Sequence, residues 1–318
     1  MGKPIGAAAL DSAVPRAFTP FLHAAYTDAP PPRRQFLPRE FLPTLLAGAA
    51  ERLPLLAAPD LPWALAERVH DAAYLARWRR GEVTRQEERA LGFAWHPAVV
   101  ERGLASCGAT LSATWDALST GLGLNLGGGT HHAYADHAEG FSFLNDVAIA
   151  ARHVLDAGLV KRVLILDLDV HQGNGTASIF RDEARVFTLS LHAEHNYPFK
   201  KEVGDLDVAL PDATGDADYL AVLDRAVLPA VQAFQPDLLF YLAGADVLAG
   251  DQLGRLSLSL EGLRARDGRV YGWAAQTRTP LVSLMAGGYH RDPATLVRAR
   301  LGTLEAALGA FAAAPDAV

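Results

Sequence analysis

The chain has 318 residues, half of them hydrophobic and a fifth charged, which excludes global disorder and allows a sizeable core. A formal charge of -7 argues against a nucleic-acid-binding surface, which is normally basic, but leaves a cationic substrate open. Cys107 is the sole cysteine, so an internal disulfide and a thiolate metal cluster are excluded; it reads as a small buried residue.

No apolar run approaches the length of a membrane span, and the N-terminus lacks the apolar stretch of a signal peptide. The chain therefore reads as cytoplasmic, with neither membrane nor nucleic acid as a direct partner. Residues 1–17 are rich in Ala and Pro and are expected to be poorly ordered, leaving residues 18–318 as a single domain. Ala29-Pro-Pro-Pro32 marks a surface loop. From Pro38 to Arg80 the pattern is helical, with Asp60 and Pro62 placed as cap and first turn, followed by Trp63, Val69, Leu75 and Trp78 at roughly helical spacing. Ala105-Ser-Cys107-Gly-Ala opens another helical pattern.

After about residue 120 the chain alternates. Short apolar runs at residues 122–126, 163–168, 186–191, 238–242 and 281–286 predict strands. Between them lie helical patterns at 144–157 (closed by Gly158), 176–181, 219–234 and 260–276, and a last helix follows Asp292-Pro293. Strands separated by helices of this length imply βαβ units, hence an α/β domain whose central sheet is mostly parallel, with helices on both faces.

Four motifs fall at the carboxyl ends of these strands, where open α/β sheets place their ligands. The first is Gly127-Gly-Gly-Thr-His131-His132. The second, Asp167-Leu-Asp169-Val-His171-Gln-Gly-Asn174-Gly, spaces two acids and an imidazole two residues apart. Strand side chains alternate faces, so all three should project to the same side at the strand's carboxyl end. Burying such groups uncompensated is costly, and a metal ion is the simplest compensation. Ala243-Gly-Ala-Asp246 through Asp251 is the third motif and Ala286-Gly-Gly-Tyr289-His the fourth. Singly, each has an ordinary structural explanation; all four at strand ends do not. A glycine pattern at Gly121-Leu-Gly123-Leu-Asn-Leu-Gly127 resembles a dinucleotide fingerprint, but its glycines flank a strand and do not join it to a helix.

Taken together, these residues resemble the zinc-dependent histone deacetylases, and His171-Gln-Gly-Asn174-Gly is similar to the class IV branch and its bacterial relatives. The resemblance spans roughly residues 120 to 295, with all four motifs in the family's order, and Val69-His70-Asp-Ala-Ala-Tyr74-Leu adds a weaker match. It implies the single-domain arginase/deacetylase fold and a hydrolase that removes acetyl or longer acyl groups from lysine side chains of a protein or peptide. On the same resemblance Asp169, His171 and Asp246 match the zinc ligands, a donor set that would also take ferrous iron. His131 and His132 match the tandem catalytic histidines, with Asp167 and Asn174 as their respective partners, and Tyr289 matches the catalytic tyrosine.

An inner structural K+ site would draw on Asp167, the carbonyls of Asp169 and His171, and Ser190 with Leu191. Gly140 and Phe141 match one wall of the acyl-lysine tunnel, with Tyr197 opposite and Leu253 at an apolar rim. Two positions depart from the family: Ala286 where many relatives have glycine, and Gln252 in place of a common proline. An acid that grips the substrate's peptide backbone has no clear match. The alternative substrate is an acetylpolyamine or another small acylated amine. The residues suit the chemistry in their own right, since two carboxylates and one imidazole leave coordination positions open, as a catalytic metal requires.

Overall fold

The computed structural model describes residues 15–25 and 40–313. Its strands are β1 (Ala17–Thr19), β2 (Leu55–Ala57), β3 (Leu122–Asn125), β4 (Val163–Asp167), β5 (Val186–Ala193), β6 (Leu206–Leu210), β7 (Leu238–Leu242) and β8 (Leu281–Leu284). They form one sheet in the order β2-β1-β3-β8-β7-β4-β5-β6, and every pair is parallel. The helices are α1 (Phe41–Ala50), α2 (Trp63–Ala66), α3 (Ala72–Arg80), α4 (Arg85–Leu91), α5 (Pro97–Thr120) and α6 (Asp146–Asp156). They continue with α7 (Asn174–Phe180), α8 (Asp216–Val222), α9 (Leu228–Phe234), α10 (Leu260–Thr277) and α11 (Pro293–Ala312). A parallel α/β sheet with helices on both faces is the architecture expected.

The continuous apolar runs of β4 and β7 follow from burial on both faces, because βαβ crossovers cover a parallel sheet on each side. Leu164 and Leu166 pack into one core with Tyr219, Leu263, Val270 and Leu296 from α8, α10 and α11. Their neighbours Val163 and Ile165 point the other way, into a core with Ala113 and Ala117 of α5 and Val147 and Val154 of α6. A third cluster, built around Tyr74, Trp78, Phe93 and Phe143, joins the front third of the chain to the segment around residues 138–149, and Trp78 and Phe143 rings lie 4.6 Å apart within it.

Several elements differ from expectation. The stretch from Pro38 to Arg80 is not one helical region: from residue 40 on it holds α1, the strand β2, α2 and α3. Pro62 caps α2 directly, and Asp60 lies outside the helix. Ala17 belongs to β1, fully buried and bonded through its N–H to the Pro54 carbonyl at 3.0 Å. Residues 1–14 and the Ala29–Pro32 loop lie outside the described residues. The helical pattern at 219–234 is interrupted by one π-helical turn (Leu223–Val227) before Pro229 in the first turn of α9. The edge strand β6 was not anticipated; its Leu-Asp-Val-Ala-Leu sequence alternates, but half-exposed.

Register brings four strand ends to one level. Asp167 at the end of β4 pairs with Leu242 of β7 and Ser190 of β5, while Leu284 of β8 pairs with Leu242 and with Asn125 of β3. The loops leaving β3, β4, β7 and β8 therefore open onto the same edge.

Candidate active site

His131 and His132 follow β3. The loop before them is anchored by Asp146, the first residue of α6, whose carboxylate accepts from the N–H groups of Gly129 (3.0 Å) and Thr130 (2.8 Å). The two rings lie with centroids 4.1 Å apart, tilted by 51° to one another, and are almost fully buried. Their partners differ. His131 Nδ1 lies 2.6 Å from Asp167 Oδ2, and His132 Nδ1 lies 2.6 Å from Asn174 Oδ1.

The charge balance follows from those partners. Burial works against a charged His131, but Asp167 and Asp169 outweigh it and raise its pKa to about 9. Burial also acts on His132, and the neighbouring His131 and His171 reinforce it, so that ring is held well below its ordinary value and is neutral at pH 7.

Asp169 and His171 follow β4, but not as continuing strand. The strand ends at Asp167, so side-chain alternation does not carry the pair. A turn brings them together instead: Asp169 Oδ1 accepts from the His171 N–H at 2.9 Å and lies 3.0 Å from His171 Nδ1. Asp246, after β7, accepts from the Val170 N–H through Oδ1 at 3.0 Å. Its Oδ2, 3.3 Å from His171 Nδ1, is buried and accepts no hydrogen bond among the described residues. Ligand atoms of Asp169, His171 and Asp246 all lie within 4.8 Å of one another.

A buried carboxylate oxygen with no donor is expensive, and a cation between the three side chains satisfies it. The donor set fits a divalent metal. The cradle already favours positive charge: burial opposes an imidazolium at His171, but the two aspartates raise its pKa to about 10. Gly287 is required beside it, since a Cβ there would sit 2.0 Å from Asp246 Oδ2; with that space open, the Gly287 N–H donates to Asp169 Oδ2 at 2.7 Å.

Above this floor the loops form a cleft of about 700 Å³ lined by His131, His132, Gly140, Phe141, Tyr197, Leu253 and Tyr289 among others. Phe141 holds a positive φ of 64°, a strained conformation for a bulky residue, and its ring meets Phe93 at 5.8 Å and Tyr289 at 6.1 Å. Gly140 must lack a side chain, because a Cβ would lie 2.4 Å from the His132 ring. Tyr197 stands across from it, 5.0 Å from the His132 ring and 6.5 Å from His171.

Tyr289 is placed by its backbone: its N–H donates to Asp251 Oδ2 at 2.6 Å, and Asp251 Oδ1 accepts from Leu253 (2.8 Å) and Gly254 (3.0 Å). Burial, with the Asp246, Asp169 and Asp251 carboxylates behind it, raises the Tyr289 pKa, so the phenol keeps its proton at neutral pH. At the proposed potassium site, Ser190 pairs with Asp167 across β4 and β5, but its hydroxyl bonds His192 Nδ1 at 2.9 Å. The Leu191 side chain is buried in the core, leaving only its backbone for a cation.

Sequence reasoning missed four supporting residues. Asp251 stood in a motif but had no role; it ties the Leu253 rim to the Tyr289 loop. Glu139 bonds both Tyr197 and Asn174. Arg266 is fully buried and donates to the carbonyls of Leu168 (3.2 Å) and Gly244 (2.7 Å), clamping the ends of β4 and β7. Arg300 donates to the carbonyls of Met285, Ala286 and Gly287 and so holds the loop leading to Tyr289. The Arg266-Asp267 pair gave no signal in the sequence, where Arg-Asp recurs at 181–182 and 291–292 with the arginine exposed.

The family model described as "Histone deacetylase domain" matches residues 45–302, and the chain belongs to the histone deacetylase family. An uncharacterised protein of Picosynechococcus is 41% identical over 239 residues, covering 75% of this chain and 79% of that one. A histone deacetylase-like amidohydrolase of Pseudomonas aeruginosa is 31% identical over 264 residues, 77% of this chain and 68% of the relative. Histone deacetylase 2 of Arabidopsis thaliana is 36% identical over 193 residues, 60% of this chain but only half of the plant protein. The crystal structure of the HDA15 HD domain superposes with a TM-score of 0.75 at 23% identity, covering 94% of this chain and 90% of that one, which shows the shared arginase/deacetylase fold.

Proposed function

We propose that this chain is a metal-dependent amidohydrolase that removes acetyl or longer acyl groups from lysine side chains. One observation carries the reading: a buried Asp169–His171–Asp246 cradle faces, in a single cleft, two histidines of opposite charge preference and a protonated phenol. A zinc or ferrous ion held by those three residues would polarise the amide carbonyl and acidify a water molecule.

The remaining steps belong to the chain's own side chains. His132 is neutral and keeps its Nδ1 proton on Asn174, so its Nε2 is free in protonation state to accept a proton from the attacking water. The same nitrogen returns that proton to the departing amine. His131, charged and held by Asp167, orients and stabilises electrostatically. Tyr289 donates from its phenol to the oxygen that gains charge as the carbonyl becomes tetrahedral. Phe141 and Tyr197 flank the substrate's aliphatic stem and exclude water around it.

Leu253 puts an apolar residue at the rim, which suits a lysine stem better than the distal amine of a polyamine. A potassium ion at Asp167, Ser190 and the nearby carbonyls would be structural. Among the described residues no helix is long and apolar enough to cross a membrane, and the proposed setting is the cytoplasm. The test is release of free amine from acetyl-lysine and long-chain acyl-lysine peptides beside acetylated polyamines. Turnover of the peptides is expected to dominate; preferential turnover of the polyamines would transfer the assignment to them, and no turnover of either would overturn it.

A further inference from the structure

We infer that Glu139 is a positioning residue for this reaction, acting through the Asn174 amide to fix which end of that amide faces His132 and to polarise the bond between them. The inference rests on the hydrolytic reading above. An asparagine amide has nearly the same shape whichever way it is turned, so its orientation is set by its partners.

Asn174 Oδ1 lies 2.6 Å from His132 Nδ1, and its Nδ2 donates to Glu139 Oε2 at 3.1 Å and to the Tyr134 phenol oxygen at 3.1 Å. Tyr134 in turn donates its own proton to Glu202 Oε1 at 3.2 Å, which leaves its oxygen to accept. Turned over, the amide would set Oδ1 against a carboxylate and NH2 against the imidazole. Glu139 therefore makes Oδ1 the end that faces the ring. An acceptor there keeps the His132 proton on Nδ1 and leaves Nε2 as the base.

The carboxylate is itself held. Its Oε1 accepts from the Tyr197 phenol, and its backbone closes a tight turn, with the Glu139 N–H on the Ser142 carbonyl at 3.1 Å and the Ser142 N–H on the Glu139 carbonyl at 2.8 Å. The next residue is Gly140, whose missing side chain lets the His132 ring pack against that turn. The result is a chain from imidazole to amide to carboxylate. It places negative charge one residue removed from His132, where it supports the imidazolium that forms during turnover without charging the ring beforehand. His131 differs, since its carboxylate touches the ring directly.

The test uses the metal-loaded, full-length protein. Glu139→Gln keeps the shape and removes the charge; it is expected to lower kcat about tenfold, the lower end of what loss of such outer partners costs, with KM within about twofold. Introduced into Asn174→Ala it should add no further loss, whereas in Tyr197→Phe its full effect should persist. Unchanged kcat, an equal fall in the Asn174→Ala background, or disappearance of the effect in Tyr197→Phe would each overturn the inference.

A second readout needs no substrate. In protein labelled with 15N-histidine, the Nδ1–H resonance of His132, assigned by its change in Asn174→Ala, should move in Glu139→Gln. The His131 resonance, assigned through Asp167→Asn, should stay in place and reports that the variant is folded. A stationary His132 resonance overturns the role of Glu139 whatever the substrate. A shifted resonance in a protein that hydrolyses no acylated amine supports the hydrogen-bonded chain and removes the functional reading alone.

Discussion

The floor and the walls of the cleft are built differently. Asp167, Asp169, His171 and Asp246 leave adjacent strands, are almost completely buried, and are held largely by backbone N–H groups and by one another. Phe141, Tyr197, Leu253 and Tyr289 come from four loops far apart in sequence; the last three are held by side chains that reach between loops, Asp251, Glu139 and Arg300, and Phe141 by its N–H on the Leu91 carbonyl at 2.9 Å. Sheet register, fixed by two buried faces, makes the floor rigid. The walls depend on a few individual polar bonds and on a strained Phe141. Floor residues should therefore govern turnover, and wall residues should govern which substrate enters.

The sharpest contrast lies directly above the floor, between the two histidines. His132→Ala is expected to lower kcat by about 10²–10⁴, the range for loss of a general acid–base group, and by more than His131→Ala does. Steady-state kinetics on an acyl-lysine peptide checks this, and a more damaging His131→Ala would exchange the two roles. Tyr289→Phe tests the one wall residue assigned to chemistry. It should cost about 10²–10³ in kcat while metal content and thermal midpoint stay at parental values; turnover within a few-fold of the parent would remove the phenol from the mechanism.

Farther from the chemistry the effects shrink and change character. Leu253→Glu should shift the ratio of kcat/KM for acetylpolyamine over acyl-lysine peptide by about tenfold, equivalent to about 1.4 kcal/mol of attraction for the distal amine. An unaltered ratio would mean the rim does not select. The last effect is on stability and not on turnover, and concerns His70, which stands behind the wall with Nδ1 on the Tyr134 carbonyl at 2.9 Å and Nε2 accepting from the Asn145 N–H at 3.0 Å. Burial lowers its pKa from 6.5 to about 4.

A depressed folded pKa means the unfolded chain binds the proton more readily. The contribution is therefore complete above pH 6.5 and is lost as pH falls from 6.5 toward 4. Between pH 7 and pH 5 it should weaken the fold by about 2 kcal/mol. Urea unfolding of the parent and of His70→Gln at both pH values checks it, and equal pH dependence in the two proteins would contradict the account.

This contrast also explains what could be read from the sequence. The strands β4 and β7, with β3 and β8, announce themselves as apolar runs because both their faces are buried, and the floor residues follow them within a few positions. The short β1 and β2 and the half-exposed β6 carry no such signal. Asp169 and His171 were placed together for a reason that does not hold: the strand stops at Asp167, and a turn does the work assigned to alternation. The wall supports were illegible because each acts across a long sequence separation. Asp251 reaches Tyr289, Glu139 reaches Asn174, and Arg300 reaches the carbonyls after β8, and no local pattern records such bonds.

The claim on which the rest depends is that the Asp169–His171–Asp246 cradle holds a divalent metal needed for amide hydrolysis. Exhaustive chelation followed by titration with Zn2+ or Fe2+, reading metal content and turnover of an acyl-lysine peptide together, measures it directly. The account predicts that activity falls to background on chelation and returns linearly up to one ion per chain, and that Asp246→Asn neither binds that ion tightly nor recovers. Full turnover by chelated protein, or by Asp246→Asn with its metal content unchanged, would contradict it.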